Sequence, residues 1–230
     1  MLVKVAILSL LGGILCLDRV TFQLMISRPV VTGPIIGLVL GDPHMGLISG
    51  ALVELLWIDR LAVGAYVPPH DTIVAILVTA GSILAGMGHG PFFTQLVAFS
   101  VLLYLPAGIL AQRLDVWIRQ SNDTLARAAL EEVKAGNIRA VPRNHLRALL
   151  RTWIFTTAFI FVAALAGIFF TRFAFPALPA SVLKMLHYIY FFLPLLGIGV
   201  ALNTVKNRGA IPVFCGVFLI LSAVKEFLWT

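Results

Sequence analysis

The residues able to do chemistry in this chain are few, and they stand in apolar surroundings. Glu54 lies within Gly50-Ala51-Leu52-Val53-Glu54-Leu55-Leu56-Trp57. Insertion scales put a charged group at the bilayer centre at about 2.5–3.5 kcal/mol, so such a residue ordinarily faces a cavity or a partner charge. Arg28 and Arg60 are candidate partners. Two readings follow: a structural ion pair, or a carboxylate accepting hydrogen bonds from the hydroxyls of a polar cargo. The second cluster is Tyr66-Val67-Pro68-Pro69-His70-Asp71-Thr72. Consecutive prolines lack donors and force extended backbone, so they end a helix and free its carbonyls. Pro69, His70, Asp71 and Thr72 then offer donors and acceptors for sugar hydroxyls, with Tyr66 or Trp57 for the ring face. Spacing alone fits a membrane-surface loop equally well.

Catalytic constellations are missing from the sequence. Asp18, Asp42, Asp59 and Asp71 lack metal-ligand spacing, and none of the histidines at 44, 70, 89, 145 and 187 has a second His three or four residues away. No Walker loop or Gly-x-Ser-x-Gly elbow occurs. The glycines between Gly81 and Gly90 follow no strand of a βαβ unit, which excludes a dinucleotide site. The expectation is therefore no catalytic residue, no metal and no cofactor. Cys16 and Cys215 sit in apolar runs and read as buried thiols rather than a disulfide framework.

The elements that must hold these groups are membrane helices. The chain has 230 residues, 60% of them hydrophobic and 12% charged, with a mean hydropathy of +1.00. Soluble domains carry about 25% charged residues, so this composition calls for lipid as solvent. The net charge of +7 does not indicate nucleic acid, because eight of the 17 Lys and Arg residues crowd between Arg113 and Arg151. Basic residues clustered between apolar blocks mark a cytoplasmic segment. Their Arg side chains also suit anionic lipid headgroups. After Lys4 the run from Val5 to Leu17 lacks a small-x-small cleavage site and reads as a retained membrane segment.

A crossing helix needs about 20 mostly apolar residues. Phe92–Gln112, Thr152–Phe170 and Leu186–Val205 meet that length, and Thr72–Met87 is shorter. The apolar region Pro29–Ile58 differs, since Gly41-Asp42-Pro43 splits it. Each half, roughly 13–15 residues or about 20 Å of helix, is too short for a hydrocarbon core of about 30 Å. Short Gly/Pro-interrupted pieces predict a broken or re-entrant helix, with an ordinary kinked helix as the alternative. Gly33, Gly37 and Gly41, then Gly46 and Gly50, recur every four residues and predict close backbone packing. Thr124–Lys134 reads as an amphipathic helix ended by Gly136-Asn137.

The fold class is thus an all-α, polytopic integral membrane protein with broken or re-entrant helices. One domain covers 1–230: an N-terminal membrane half (1–112), a cytoplasmic amphipathic connection (113–151) and a C-terminal membrane half (152–230).

Arg28-Pro29, Gly37-Leu38-Val39-Leu40-Gly41-Asp42, Gly46, Gly50, Glu54, Gly64-Ala65 and Pro68-Pro69 stand in an order that resembles the IIC subunits of the mannose-fructose-sorbose phosphotransferase family. Gly197, Asn203, Pro212, Phe214 and Gly216 extend the resemblance towards the C-terminus. It implies a sugar path shared with a IID membrane subunit in a trimer of IIC–IID pairs within the bacterial inner membrane. Separate IIA and IIB phosphocarriers would phosphorylate the cargo, a hexose or related sugar, with no phosphorylated residue in this chain. Glu54 and the loop ending at Pro69-His70 match the family's sugar-facing region, and Asn203 joins them as a binding candidate. Asp59, Ala62 and His70 stand where the family often has glycine, asparagine and an acidic residue. Two alternatives accompany this reading: a transport-incompetent scaffold or sensor, and an unrelated ion-coupled transporter.

Overall fold

The computed structural model describes residues 1–60, 66–85 and 93–202 in full, the backbone of 203–204, and residues 209, 212, 213, 215–217 and 220. Its helices are α1 (Leu2–Leu17), α2 (Pro29–Leu40), α3 (Pro43–Leu56), α4 (Asp71–Leu84), α5 (Phe93–Lys134), α6 (Ala140–Ala174) and α7 (Ala180–Thr204), with a 3-10 turn at Phe175–Ala177.

The break at Gly41-Asp42-Pro43 is built from local chemistry. Gly41 takes φ +98°, the left-handed conformation that costs an L side chain and ends α2. Asp42 then accepts a hydrogen bond from Met45 N at 2.9 Å, capping α3, and Pro43 fills the first helical position. The result is a tight hairpin of 12- and 14-residue helices, about 18 and 21 Å long. Glycine lets the two backbones touch: a Cβ on Gly33 would lie 2.2 Å from Gly46 O, and one on Gly50 2.2 Å from Pro29 O. The expected break into two short helices and the close glycine packing are both present.

α4 is the centre of the molecule. Every residue from Thr72 to Ser82 is buried, enclosed by α1, α2, α3, α5 and α6. Its C-terminus is closed by Arg172 of α6, whose guanidinium donates to Leu84 O at 2.7 Å. A cation suits that carbonyl end.

Among the described residues, three helical stretches are long and apolar enough to cross a membrane: Phe93–Lys134, Ala140–Ala177 and Ala180–Leu202. The stretch 113–151 is not a separate amphipathic helix. It is the continuation of α5 and α6, which run antiparallel to the turn at Gly136 (φ +90°). Trp117 packs edge-on against Phe155 at 4.9 Å, Arg151 donates to Ser121 O at 2.8 Å, and Arg143 pairs with Glu132 at 2.6 Å. α7 lies against α3 and α5, with Gly197 pressed onto Leu55 and Thr94 hydrogen-bonded to His187 at 2.9 Å. Cys16 is buried as expected. Cys215 is exposed, a correction to the sequence reading: an apolar neighbourhood in a membrane chain can equally be a surface that lipid covers.

Candidate functional site

α1 ends at Leu17 and α2 begins at Pro29, and the connecting loop carries two arginines that pair with carboxylates on two different helices. Arg19 Nη1 lies 2.8 Å from Asp71 Oδ1, at the first residue of α4. Arg28 Nη2 lies 2.7 Å from Glu54 Oε1 near the end of α3. Glu54 also accepts from Val30 N, 3.4 Å away in the first turn of α2. A carboxylate there meets unpaired N–H groups and the positive end of the helix dipole, which stabilises its charge.

Beside the Arg19–Asp71 pair lies a cavity of about 260 Å³, walled by Asp18, Arg19, Gln23, Met25, Ser27, Arg28 and Arg60 with Pro68, Asp71 and Thr72. Asp71 is oriented by two donors to Oδ1, Arg19 Nη1 and Thr72 N, each at 2.8 Å. Thr72 Oγ1 also donates to Ser27 O at 2.7 Å, tying α4 to the loop. His70 stands behind Asp71 and is buried. Its Nδ1 is 3.1 Å from Arg19 Nη1 and accepts from Ile73 N at 3.4 Å, capping α4. Since guanidinium only donates, Nδ1 is the acceptor and the ring proton belongs on Nε2. The extended segment before it is pinned to α5 by His70 N donating to Gly108 O at 3.0 Å and by Gln112 Nε2 donating to Val67 O.

The predicted site residues are therefore partly assembled. Asp71 and Thr72 line the cavity, and His70 supports them. Glu54, its side chain 14% exposed, meets the cavity only through Arg28. Pro69 is half-buried next to the lining Pro68, and Tyr66 is 46% exposed and outside the lining. Asn203 is in the last turn of α7, and its side chain lies outside the described residues, as does Ala62. Asp59 pairs with neighbouring Arg60 at 3.4 Å. Trp57 packs on Gly108 of α5 rather than facing the cavity.

Sequence reasoning missed the loop residues Asp18, Arg19, Gln23 and Ser27. Asp18 is 6% exposed. Burial pushes its carboxyl up, but bonds from Leu24 N, Ser27 N and Oγ, and Ile26 N outweigh that and hold it below the usual aspartate value. The available signal was the Asp18-Arg19 pair directly after an apolar helix, where ionised groups need partners.

This arrangement can bind a small neutral polyol. Carboxylates accept from hydroxyls, guanidinium groups donate to hydroxyl and ring oxygens, and Thr, Ser and Gln do either.

Known proteins resemble this chain over most of its length. Residues 2–228 match the family model described as the sorbose-specific IIC component of the phosphotransferase system. A provisionally named N-acetylgalactosamine permease IIC component of Escherichia coli (strain K12) is 36% identical over 98 residues, 43% of this chain and 74% of that protein. The fructose permease IIC component of Bacillus subtilis (strain 168) is 28% identical over 147 residues, 64% of this chain and 52% of that one. The sorbose-specific EIIC component of Lacticaseibacillus casei is 25% identical over 227 residues, 97% of this chain and 78% of that one. Among solved structures, one titled only as a membrane protein superposes with TM-score 0.73 at 20% identity, covering 99% of this chain and 94% of that one. The mannose transporter ManYZ in complex with microcin E492 gives 0.61 at 20% identity, with coverages of 99% and 93%. These two carry the fold.

Proposed function

The chain belongs to the sorbose-specific IIC component family of the phosphotransferase system, a mannose-type membrane component in sugar transport, and from that premise we propose that its polar cavity is a sugar-binding station on the transport path. The observation that carries the proposal is the cavity of about 260 Å³ lined by the Arg19–Asp71 pair and by Arg28. Drug-sized ligands occupy pockets of about 300–1,000 Å³, so a monosaccharide is the matching size class.

In this reading Asp71 accepts two sugar hydroxyls, held in place by Arg19 and Thr72. Arg28 donates from the opposite wall, its guanidinium fixed by Glu54. The cargo is a hexose or related sugar, the class to which the relatives' fructose, sorbose and mannose belong. Its phosphorylation is assigned to a separate IIB protein, fed by IIA. The chain works with a IID subunit in the bacterial inner membrane, in a trimer of such pairs, with the α5–α6 tip in the cytoplasm.

Uptake of labelled mannose, fructose and sorbose in cells lacking the subunit, complemented with wild type or Asp71→Asn, tests this. Wild type restores uptake of at least one sugar, and Asp71→Asn reduces it about tenfold or more, the equivalent of about 1.4 kcal/mol of lost binding. No uptake of any sugar, with the protein present in the membrane, favours the scaffold or sensor reading and overturns this one.

A further inference from the structure

The loop between α1 and α2 holds its shape against local preference. Gln23 and Met25 adopt φ of +54° and +65°, the left-handed region. Residues with a Cβ reach it only at a cost, and such strain persists where the surroundings over-determine it. Here the surroundings are largely one residue. Asp18 Oδ1 accepts from Leu24 N at 2.8 Å, and Oδ2 accepts from Ser27 N and Ser27 Oγ, both at 3.2 Å. Its backbone oxygen accepts from Gln23 N at 2.9 Å. Two further ties complete the frame: Thr32 Oγ1 to Ile26 O at 2.9 Å and Thr72 Oγ1 to Ser27 O at 2.7 Å. Both carboxylate oxygens of Asp18 are thus engaged by its own loop, although the residue borders the cavity.

We propose that Asp18 is a positioning residue of the sugar site: its carboxylate fixes the backbone from which Arg19, Gln23 and Arg28 reach the cavity. The inference rests on the sugar-site reading above and adds a role for a residue that touches no cargo. A carboxylate is required because all its bonds here are accepted ones. An amide of the same size offers one acceptor oxygen and turns its NH₂ towards the N–H groups it should receive from. The two arginines would then lose register with each other while their acidic partners stay on α3 and α4.

The experiment uses the full chain with its partner subunit in lipid nanodiscs. Equilibrium binding of radiolabelled mannose, fructose and sorbose is measured together with amide hydrogen exchange. Asp18→Asn is expected to raise the half-saturating concentration about tenfold at an unchanged saturating level. It also accelerates exchange at Leu24 and Ser27 while leaving α4 protected. Asp18→Glu keeps the charge but moves the oxygens by one methylene, and recovers most of the affinity. If Asp18→Asn does not fold, the graded loss in Asp18→Glu decides, with a shift of about threefold expected. Unchanged affinity or unchanged exchange in the folded variants overturns the role of Asp18 alone. Failure of wild type to bind any of the three sugars overturns the sugar-site reading and this role with it.

Discussion

Gly46→Ala should open the α2–α3 hairpin. A Cβ at Gly46 would sit 2.2 Å from Gly33 O, 2.8 Å from Gly33 C and 3.0 Å from Gly37 Cα. Carbon–oxygen contacts between closely packed backbones settle at about 3.3–3.6 Å, so the clash is about 1 Å deep. All three neighbours are backbone atoms, so no side chain can swing aside and the helices must separate by that amount. Overpacked cores cost about 1–3 kcal/mol, and a backbone clash belongs at about 3 kcal/mol. The separation also carries Glu54 away from Arg28 and Val30, weakening the 2.7 Å pair on one side of the cavity. Gly33→Ala meets Gly46 O at the same 2.2 Å, so a helix pair already opened by one substitution accepts the other cheaply. The double variant should therefore cost clearly less than the sum, the mark of coupled sites. Gly199→Ala in α7 is the control: among the described residues nothing beyond its own stretch of helix would stand within 4 Å of a Cβ there, and it should be neutral within about 0.5 kcal/mol. The assay is thermal unfolding of the detergent-purified chain, followed by loss of helical circular dichroism. A Gly46→Ala midpoint no lower than that of Gly199→Ala, or strict additivity with Gly33→Ala, would refute the close-approach argument.

Three further outcomes follow from the same geometry. Glu54→Gln leaves Arg28 without its charge partner and should destabilise by about 1–3 kcal/mol while weakening sugar binding, read by thermal unfolding and equilibrium binding. Among the described residues the Tyr104 hydroxyl is buried with no hydrogen-bond partner, so Tyr104→Phe should be neutral or stabilising; a loss above about 1 kcal/mol in the same unfolding assay would show that the hydroxyl has a role. The loop around Asp18 should show a pH dependence with a definite sign. Its folded carboxyl lies below the ordinary aspartate value, so its contribution is complete above that value and fades as pH falls through the lowered one. Amide exchange at Leu24 and Ser27 should therefore accelerate only in strong acid, and onset at or above the ordinary aspartate value would contradict the assignment.

Much of the fold was legible because breaks in a membrane helix carry local signals. Gly41-Asp42-Pro43 combines a left-handed cap, an acceptor side chain and a helix-starting proline, and the glycine period announces close approach. Glu54 and Asp71 stood out through the cost of charge in apolar surroundings. Two things were not legible. Val20-Thr21-Phe22-Gln23-Leu24-Met25 contains no Gly, Pro or Asn, so nothing local announces left-handed backbone at Gln23 and Met25. That shape comes from Asp18, Thr32 and Thr72, the last of them distant in sequence. The continuity of α5 past Arg113 was hidden because hydropathy reports the change of solvent, whereas a helix ends only where its hydrogen bonding does. Asp115 illustrates this. Its pair with Arg119, four residues on at 3.1 Å, strengthens the helix at the point where the composition turns polar.

α5 touches the site at Gly108 and Gln112 and ends at Lys134, an unbroken rod of about 39 Å between the first and last of these. A rod without a joint acts as a lever. A push on its far end meets no loop before Gly108 and Gln112, where α5 holds the segment that carries Pro68.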